Sequence, residues 1–145
     1  MEMVLRETAH WPRETRAVIG SSLGGFYATH VAEITGCRAV LLNPAIDPAR
    51  DLARSIGETT AWHSDEPFEF RAEYIDELRA LAVPRPTRPE RYFAVIAKGD
   101  EVLSWQEMQG RYLGARIKLL EGSDHALSDF DDHLPDVMRL LGLAV

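Results

Sequence analysis

The feature that most constrains this chain is a glycine-rich pentapeptide between a predicted strand and a predicted helix. The apolar run 17–19 leads into the sequence G-S-S-L-G at 20–24, and residues 25–32 have the composition of a helix. A strand, a sharp turn and a helix with G-x-S-x-G at the joint form the arrangement called a nucleophile elbow. The pentapeptide therefore predicts that Ser22 is a nucleophile held at the end of a strand.

Small residues in this turn have a steric reason. We expect side chains at Gly20 and Gly24 to clash where the strand folds back against the helix. The same geometry is expected to raise the Ser22 hydroxyl above the sheet and to direct the Leu23 N–H into the site. Two simpler interpretations stay open: Ser22 caps the helix, or the glycines cradle a phosphate. Neither of the phosphate-binding patterns G-x-x-x-x-G-K-[ST] and G-x-G-x-x-G occurs in the chain.

The composition of the whole chain excludes several classes of protein. With 145 residues, the chain is expected to form one domain over 1–145, and its net charge of −7 does not suit a nucleic-acid-binding surface. No apolar run approaches the length of a membrane span, and the acidic residues near the start do not fit a signal peptide. Cys37 is the one cysteine, which excludes an intramolecular disulfide and a cysteine-based metal site. We therefore expect a cytoplasmic protein.

Hydrophobic patterns predict helices alternating with strands in the order α-β-α-β-α-α-β-α-β-α. The predicted strands are Arg16–Gly20, Arg38–Asn43, Arg91–Ala97 and Arg116–Leu120. The predicted helices lie within 1–11 and at 23–34, 47–56, 68–81 and 104–113, and Ser128 is expected to cap a last one. This alternation is typical of an α/β fold with a parallel sheet of about four strands flanked by helices. Such sheets place their functional site outside the carboxyl ends of the strands.

Three residues suited to acyl transfer follow three different predicted strands. Ser22 follows the first strand, Asp100 the third and His125 the fourth, and this order along the chain is the order of an α/β-hydrolase triad. A serine hydroxyl is a poor nucleophile at neutral pH and needs an adjacent base, which a neutral histidine provides. A carboxylate orients the imidazole and stabilises the imidazolium as it forms. The strand ends therefore predict a Ser22–His125–Asp100 site.

Other histidines and acids compete for these roles. The remaining histidines lie in or near predicted helices or in a loop with no strand before it: His10, His30, His63 and His133. Asp124 adjoins His125, and neighbouring side chains usually diverge, while Asp129, Asp131 and Asp132 suit the start of a helix. Asp47, a few residues beyond the second strand, is the main competitor of Asp100.

Five segments, in matching order along nearly the whole chain, carry a family resemblance. They are G-S-S-L-G-G-F-Y-A-T at 20–29, L-L-N-P-A at 41–45, G-D-E-V-L at 99–103, G-S-D-H-A at 122–126 and L-L-G-L at 140–143. Together they resemble the small YqiA-type bacterial esterases of the α/β-hydrolase fold. The resemblance implies that Ser22 is the nucleophile, Asp100 the acid and His125 the base. It also implies hydrolysis of small-molecule esters or thioesters with short or medium acyl chains, without a metal or an organic cofactor.

The same resemblance implies a segment that has no counterpart in this chain. Family members begin with a strand that leads into an H-G-F-type loop, which supplies the second N–H of the oxyanion hole. Only Met1–Trp11 and a short loop precede the elbow strand, so we expect an N-terminally truncated α/β-hydrolase fold. The oxyanion hole would keep the Leu23 N–H alone, and losing one donor costs about 10²–10³ in kcat. The elbow strand would become a sheet edge, and an apolar edge favours self-association.

Two other functional interpretations stay open beside a serine esterase. One is a non-catalytic remnant or binding module on the same fold, and the other is a Rossmann-like ligand-binding domain, for which no phosphate motif is present. Five aromatic residues are candidates to line an acyl pocket, although ordinary packing explains each of them: Trp62, Phe68, Phe70, Tyr74 and Trp105. Asn43, at the end of the second strand, either contacts substrate or caps the turn that follows it.

Overall fold

Helices and strands alternate along the chain in the computed structural model, which describes residues 1–59 and 72–143. The helices are α1 (Glu2–Thr8), α2 (Leu23–Thr35), α3 (Pro48–Thr59), α4 (Ala72–Leu81), α5 (Trp105–Arg111) and α6 (Leu134–Leu141). The strands are β1 (Ala17–Ser21), β2 (Arg38–Leu42), β3 (Tyr92–Ala97) and β4 (Arg116–Leu120). Each strand lies within about one residue of its predicted bounds. The predicted α/β order is confirmed.

The chain forms two compact units. One contains Met1–Ile46 and Val83–Val145, and the other contains Asp47–Ala82. The smaller unit consists of α3 and α4, which pack against each other. Residues 60–71, including Trp62, His63, Phe68 and Phe70, lie outside the described residues, so the predicted helix 68–81 is confirmed from Ala72 onward. Among the helices that the structure describes, none is long and apolar enough to cross a membrane.

The larger unit is built on a parallel sheet with the strand order β1-β2-β3-β4. The register pairs Ser21 with Leu42, Leu42 with Val95, and Ala97 with Leu120. The carboxyl ends of the strands therefore meet at one edge of the sheet. β3 is buried along its whole length, as expected for an inner strand with continuous apolar sequence.

Alternate residues of the strands contribute to two separate cores. One core joins the Leu41 and Ile96 side of the sheet to Ala28 and Ala32 of α2 and to Met108 of α5. The second core joins the other side of the sheet to the last helix, through Val40, Phe93 and Val95 with Val137 of α6. Because side chains alternate along a strand, the apolar sequence of β3 supplies both cores at once. The larger unit therefore has helices on both faces of its sheet.

The two edges of the sheet differ in charge. β1 is an edge strand, as predicted for the strand before the elbow, and its sequence A-V-I-G-S carries no charge. The Ile19 side chain of β1 is 53% exposed. β4, at the opposite edge, carries Arg116 and Lys118. Charged residues on an edge strand discourage pairing with another chain, so β4 is protected in a way that β1 is not.

The last helix begins later than predicted. Ser128 does not cap it: its backbone N–H and its hydroxyl both bond to the Asp124 carboxylate. Phe130–Asp132 forms a 3₁₀ turn, and α6 then starts at Leu134 with Pro135 in its first turn. The prediction was wrong because an Asp four residues earlier competes for the Ser128 groups and closes a local turn instead.

Candidate active site

The turn between β1 and α2 is strained in the way that an elbow requires. Ser22 has φ 52° and ψ −120°, a conformation that residues other than glycine rarely adopt. Its N–H donates to the Leu42 carbonyl at 3.0 Å, and its own carbonyl accepts N–H bonds from Gly25 and Ala45, each at 2.9 Å. The strained residue is therefore held by bonds to β2, to α2 and to the segment after β2.

The glycines around Ser22 differ in how much space a Cβ atom would have. A Cβ on Gly20 would lie 2.1 Å from the Gly24 carbonyl oxygen, which confirms the predicted clash at Gly20. The prediction for Gly24 was wrong, since a Cβ there would meet nothing within 4 Å. The crowded helix position is Gly25, where a Cβ would lie 2.7 Å from Pro44 Cβ. The strand folds back against the first turn of α2, but the helix itself presses against the segment after β2 at Gly25.

The structure brings Ser22, His125 and Asp100 into one hydrogen-bonded row. His125 Nε2 lies 2.9 Å from Ser22 Oγ, and His125 Nδ1 lies 2.8 Å from Asp100 Oδ2. These residues follow β1, β4 and β3, as the strand-end argument predicts. An ionised carboxylate only accepts hydrogen bonds, so we assign the proton to Nδ1, which leaves Nε2 to accept the Ser22 hydroxyl. In this tautomer the imidazole is oriented to remove a proton from Ser22.

The Asp100 carboxylate is fully buried and fully bonded. Its side chain has 0% exposure, whereas that of His125 is 21% exposed. Besides the imidazole, it accepts the N–H groups of Val102 at 2.8 Å and Leu103 at 2.7 Å through Oδ1. Burying a carboxylate is costly unless such bonds replace its hydration. The loop after β3 supplies them, so it can present an acid to His125 away from water.

Several of the competing residues have other partners: Asp47, Asp124, Asp129 and His133. Asp47 accepts the Arg50 N–H at the start of α3, and the hydrogen bonds from Ser128 hold the pKa of the Asp124 carboxyl below its usual range. His133 Nε2 lies 3.0 Å from Asp129. The pKa of the Asp129 carboxyl is lowered by its hydrogen bond from the Ser123 hydroxyl, an effect that outweighs desolvation and is reinforced by His133.

The N-terminus of α2 leaves a donor at the site. Leu23 is the first residue of α2, and no acceptor in the described part of the chain bonds to its N–H. Helix N-termini present such unpaired N–H groups, together with the positive end of the helix dipole. The Leu23 N–H therefore lies next to the Ser22 hydroxyl in sequence and is free to bond a developing negative charge.

The chain matches a protein family along nearly its whole length. Residues 2–142 match the model of an uncharacterised protein family, UPF0227. The chain belongs to UPF0227. This membership agrees with the YqiA-type resemblance predicted from the five sequence segments.

Solved structures similar to this UPF0227 chain share its fold. A proposed hydrolase from Agrobacterium vitis S4 matches with a TM-score of 0.69 and 20% identity, over 97% of this chain and 66% of that one. Acetyl xylan esterase 1 from a Thermoanaerobacterium species matches with a TM-score of 0.59 and 19% identity, over 95% and 50%. An esterase from Pyrococcus furiosus matches with a TM-score of 0.59 and 18% identity, over 96% and 58%. The UPF0227 chain thus has an α/β-hydrolase fold and spans 50–66% of the length of these three proteins.

Two residues support the backbone of His125 in ways that the sequence did not predict. Asn43, for which substrate contact or capping of the next turn was expected, is fully buried and bonds instead to β3 and to the loop that carries His125. Glu101, next to Asp100, accepts the backbone N–H of His125 at 3.0 Å. The available signal for Asn43 was a polar residue directly after a buried strand; nothing in the sequence distinguished Glu101.

No group of three or more His, Cys, Asp or Glu side chains within residues 1–59 and 72–143 is arranged to hold a metal ion. The groups that the chain brings to the carboxyl edge of the sheet are a hydroxyl, an imidazole, a carboxylate and a backbone N–H. That set is suited to proton transfer and to nucleophilic attack on a carbonyl carbon.

Proposed function

We propose that this chain is a serine hydrolase that cleaves short or medium acyl esters or thioesters through an acyl-enzyme. The single observation that carries the proposal is the pair of contacts at His125, 2.9 Å to Ser22 Oγ and 2.8 Å to Asp100 Oδ2. The strained Ser22 backbone and the α/β-hydrolase fold support it. No role in this reaction requires a metal or an organic cofactor.

In the proposed reaction His125 acts first as a base and then as an acid. Nε2 takes the hydroxyl proton as Ser22 Oγ attacks the acyl carbon, and the Leu23 N–H bonds the oxyanion. Nε2 then returns the proton to the leaving alcohol or thiol as its bond to the acyl carbon breaks. His125 then deprotonates a water molecule that attacks the acyl-Ser22 ester, and Nε2 returns this proton to Ser22 Oγ as the acyl–Oγ bond breaks and the acid is released. Asp100 stabilises the imidazolium in both halves of the reaction.

Covalent labelling of the purified chain tests this proposal. A fluorophosphonate probe is expected to label the wild type and Ser21→Ala but not Ser22→Ala, because Ser22 is the serine that is hydrogen-bonded to the imidazole among the residues that the structure describes. His125→Ala is expected to lower kcat on p-nitrophenyl acetate by about 10⁴ or more. Folded wild-type protein that takes up no label, or label that persists in Ser22→Ala, would contradict the assignment.

A second candidate is a catalytically impaired α/β-hydrolase or binding module. It is favoured by the position of β1 at the sheet edge, since the family places a further strand and an oxyanion loop beside the elbow. Loss of one oxyanion donor lowers kcat by about 10²–10³ while the nucleophile and base remain. This candidate therefore predicts fluorophosphonate labelling at Ser22 without measurable ester turnover. Turnover that is lost in His125→Ala would exclude it.

We also propose that two copies of the chain associate through β1. The strand is an uncharged edge with a half-exposed isoleucine, whereas the other edge carries an arginine and a lysine. An edge strand offers unpaired N–H and C=O groups, and a second copy of β1 presents the same groups and the same apolar side chain. A symmetric pairing of β1 with β1 would satisfy both edges at once.

A further inference from the structure

The backbone of His125 is held from both sides by side chains of other loops. Asn43 Nδ2 donates to the His125 carbonyl at 3.1 Å and to the Asp124 carbonyl at 2.9 Å. On the other side, Glu101 Oε2 accepts the His125 N–H at 3.0 Å. We infer that Asn43 is a positioning residue that sets the place of the His125 imidazole through its backbone, with Glu101 as the weaker, exposed half of the same clamp. This inference rests on the proposed function of Ser22 and His125.

The side-chain amide and the backbone N–H of Asn43 are all hydrogen-bonded within the protein. Its Oδ1 accepts the Ala97 N–H at the end of β3 at 2.8 Å, while its two amide protons go to the two consecutive carbonyls of the His125 loop. Its backbone N–H donates to the Val95 carbonyl at 3.0 Å. The residue has 0% exposure, so its side chain does not reach a substrate. The side-chain bonds of Asn43 therefore join the ends of two strands to one loop.

The conformation of Asn43 is itself specific. It has φ 41°, in the left-handed region that asparagine tolerates better than most residues. The loop that it holds needs such support, because Ser123 and Leu127, on either side of His125, also have positive φ values of 64° and 50°. Strained loop conformations persist only where surrounding contacts determine them. The two donors of Asn43 bond to the middle of this loop.

The catalytic consequence follows from the distances between the imidazole and its two hydrogen-bond partners. Its contacts to Ser22 and Asp100 are both already at hydrogen-bond distance, and a displacement of about 1 Å costs about 10²-fold in rate. Changing a residue that only stabilised the fold would lower the free energy of unfolding without this fall in rate. The test must therefore separate the position of His125 from stability.

Asn43→Asp is the informative variant because it keeps the shape and the Oδ1 acceptor for Ala97. It replaces both donors by an oxygen that faces two carbonyls, which repels the loop. Tyr92→Phe is the matched control, since Tyr92 is buried and the change removes its partly buried hydrogen bond of 2.6 Å to Glu33 at the opposite end of β3. We expect kcat on p-nitrophenyl acetate to fall about 10²-fold in Asn43→Asp with KM within twofold, and to stay within twofold in Tyr92→Phe. Unchanged kcat in Asn43→Asp, or an equal loss in Tyr92→Phe, would overturn the inference.

Two further measurements keep the test decisive. If Asn43→Asp does not fold, Glu101→Ala is measured in its place, because Glu101 is exposed and its loss should not affect folding. An unchanged melting temperature with a lowered kcat supports the inference. An unchanged kcat overturns the inference. If the wild type hydrolyses no ester, the proposed function fails, and the His125 Hε1 chemical shift, identified with His125→Gln, decides the inference alone. A shift that moves in Asn43→Asp but not in Tyr92→Phe supports it, and a shift that stays fixed in both overturns it.

Discussion

At the scale of single residues, the molecule uses hydrogen bonds to keep partly buried polar groups in place. Glu33 of α2 shows this away from the candidate active site. Its carboxylate accepts the Tyr92 hydroxyl at 2.6 Å and the Thr87 hydroxyl at 2.6 Å, so it ties α2 to β3 and to the segment before it. Desolvation raises the pKa of the Glu33 carboxyl, but these bonds and the charge of Arg88 outweigh it, and the pKa lies below its ordinary value of 4.5.

The lowered pKa of Glu33 predicts a pH-dependent contribution to stability. A carboxyl whose pKa is lower in the folded than in the unfolded state stabilises the fold at any pH above its unfolded-state pKa. This stabilisation is lost as the pH falls through the folded-state pKa. We therefore expect the melting temperature of the wild type to exceed that of Glu33→Gln by a constant amount at neutral pH. The difference should shrink below about pH 4.5. A difference that grows on acidification, measured by circular dichroism, would contradict the prediction.

At the scale of elements, the elbow depends on which glycine faces the neighbouring segment. A Cβ on Gly25 would approach Pro44 Cα to 2.9 Å, whereas Gly24 is exposed with open space around its Cβ position. The two glycines are adjacent in the same first turn of α2, so sequence pattern alone treats them alike. The two positions differ because only one side of α2 faces the segment after β2, and Gly25 lies on that side.

The adjacent glycines provide a matched pair of variants. Gly25→Ala is expected to lower the free energy of unfolding by about 1–3 kcal/mol, because the rigid backbone of Pro44 cannot move away cheaply. Gly24→Ala is expected to leave it unchanged or to raise it by up to about 1 kcal/mol, since alanine is the better helix former. Chemical denaturation of both variants checks this. Equal destabilisation of the two would show that the turn, and not the contact with Pro44, requires glycine.

At the scale of the whole molecule, the sheet has one protected and one unprotected edge. β4 carries Arg116, whose guanidinium lies over the Phe93 ring, and Lys118, which pairs with Asp136 at 2.6 Å. β1 has no such charges. The proposed association through β1 therefore depends on the strand order of the described sheet, in which the elbow strand has a neighbour on one side.

A charge placed on β1 tests this association. Ile19→Lys is expected to convert dimers to monomers in analytical ultracentrifugation, because a lysine on an edge strand disfavours pairing with another chain. Ile34→Lys is the control: this isoleucine is similarly exposed, at 58% against 53%, but belongs to α2 and offers no unpaired strand backbone. Dimers that persist in Ile19→Lys, or that are lost equally in Ile34→Lys, would contradict pairing through β1.

The sequence alone determined the elements and the three strand-end residues of the candidate site. Apolar runs, turn residues and the G-S-S-L-G pentapeptide are local signals, and the carboxyl ends of parallel strands meet at one edge whatever the details of packing. Ser22, Asp100 and His125 could be named because each lies at or shortly after the carboxyl end of a strand. Only the tertiary structure decided what holds them. Asn43 reaches carbonyls 81 and 82 residues away in sequence, and Gly25 rather than Gly24 meets Pro44. Such contacts depend on how loops close against one another, which no local pattern encodes.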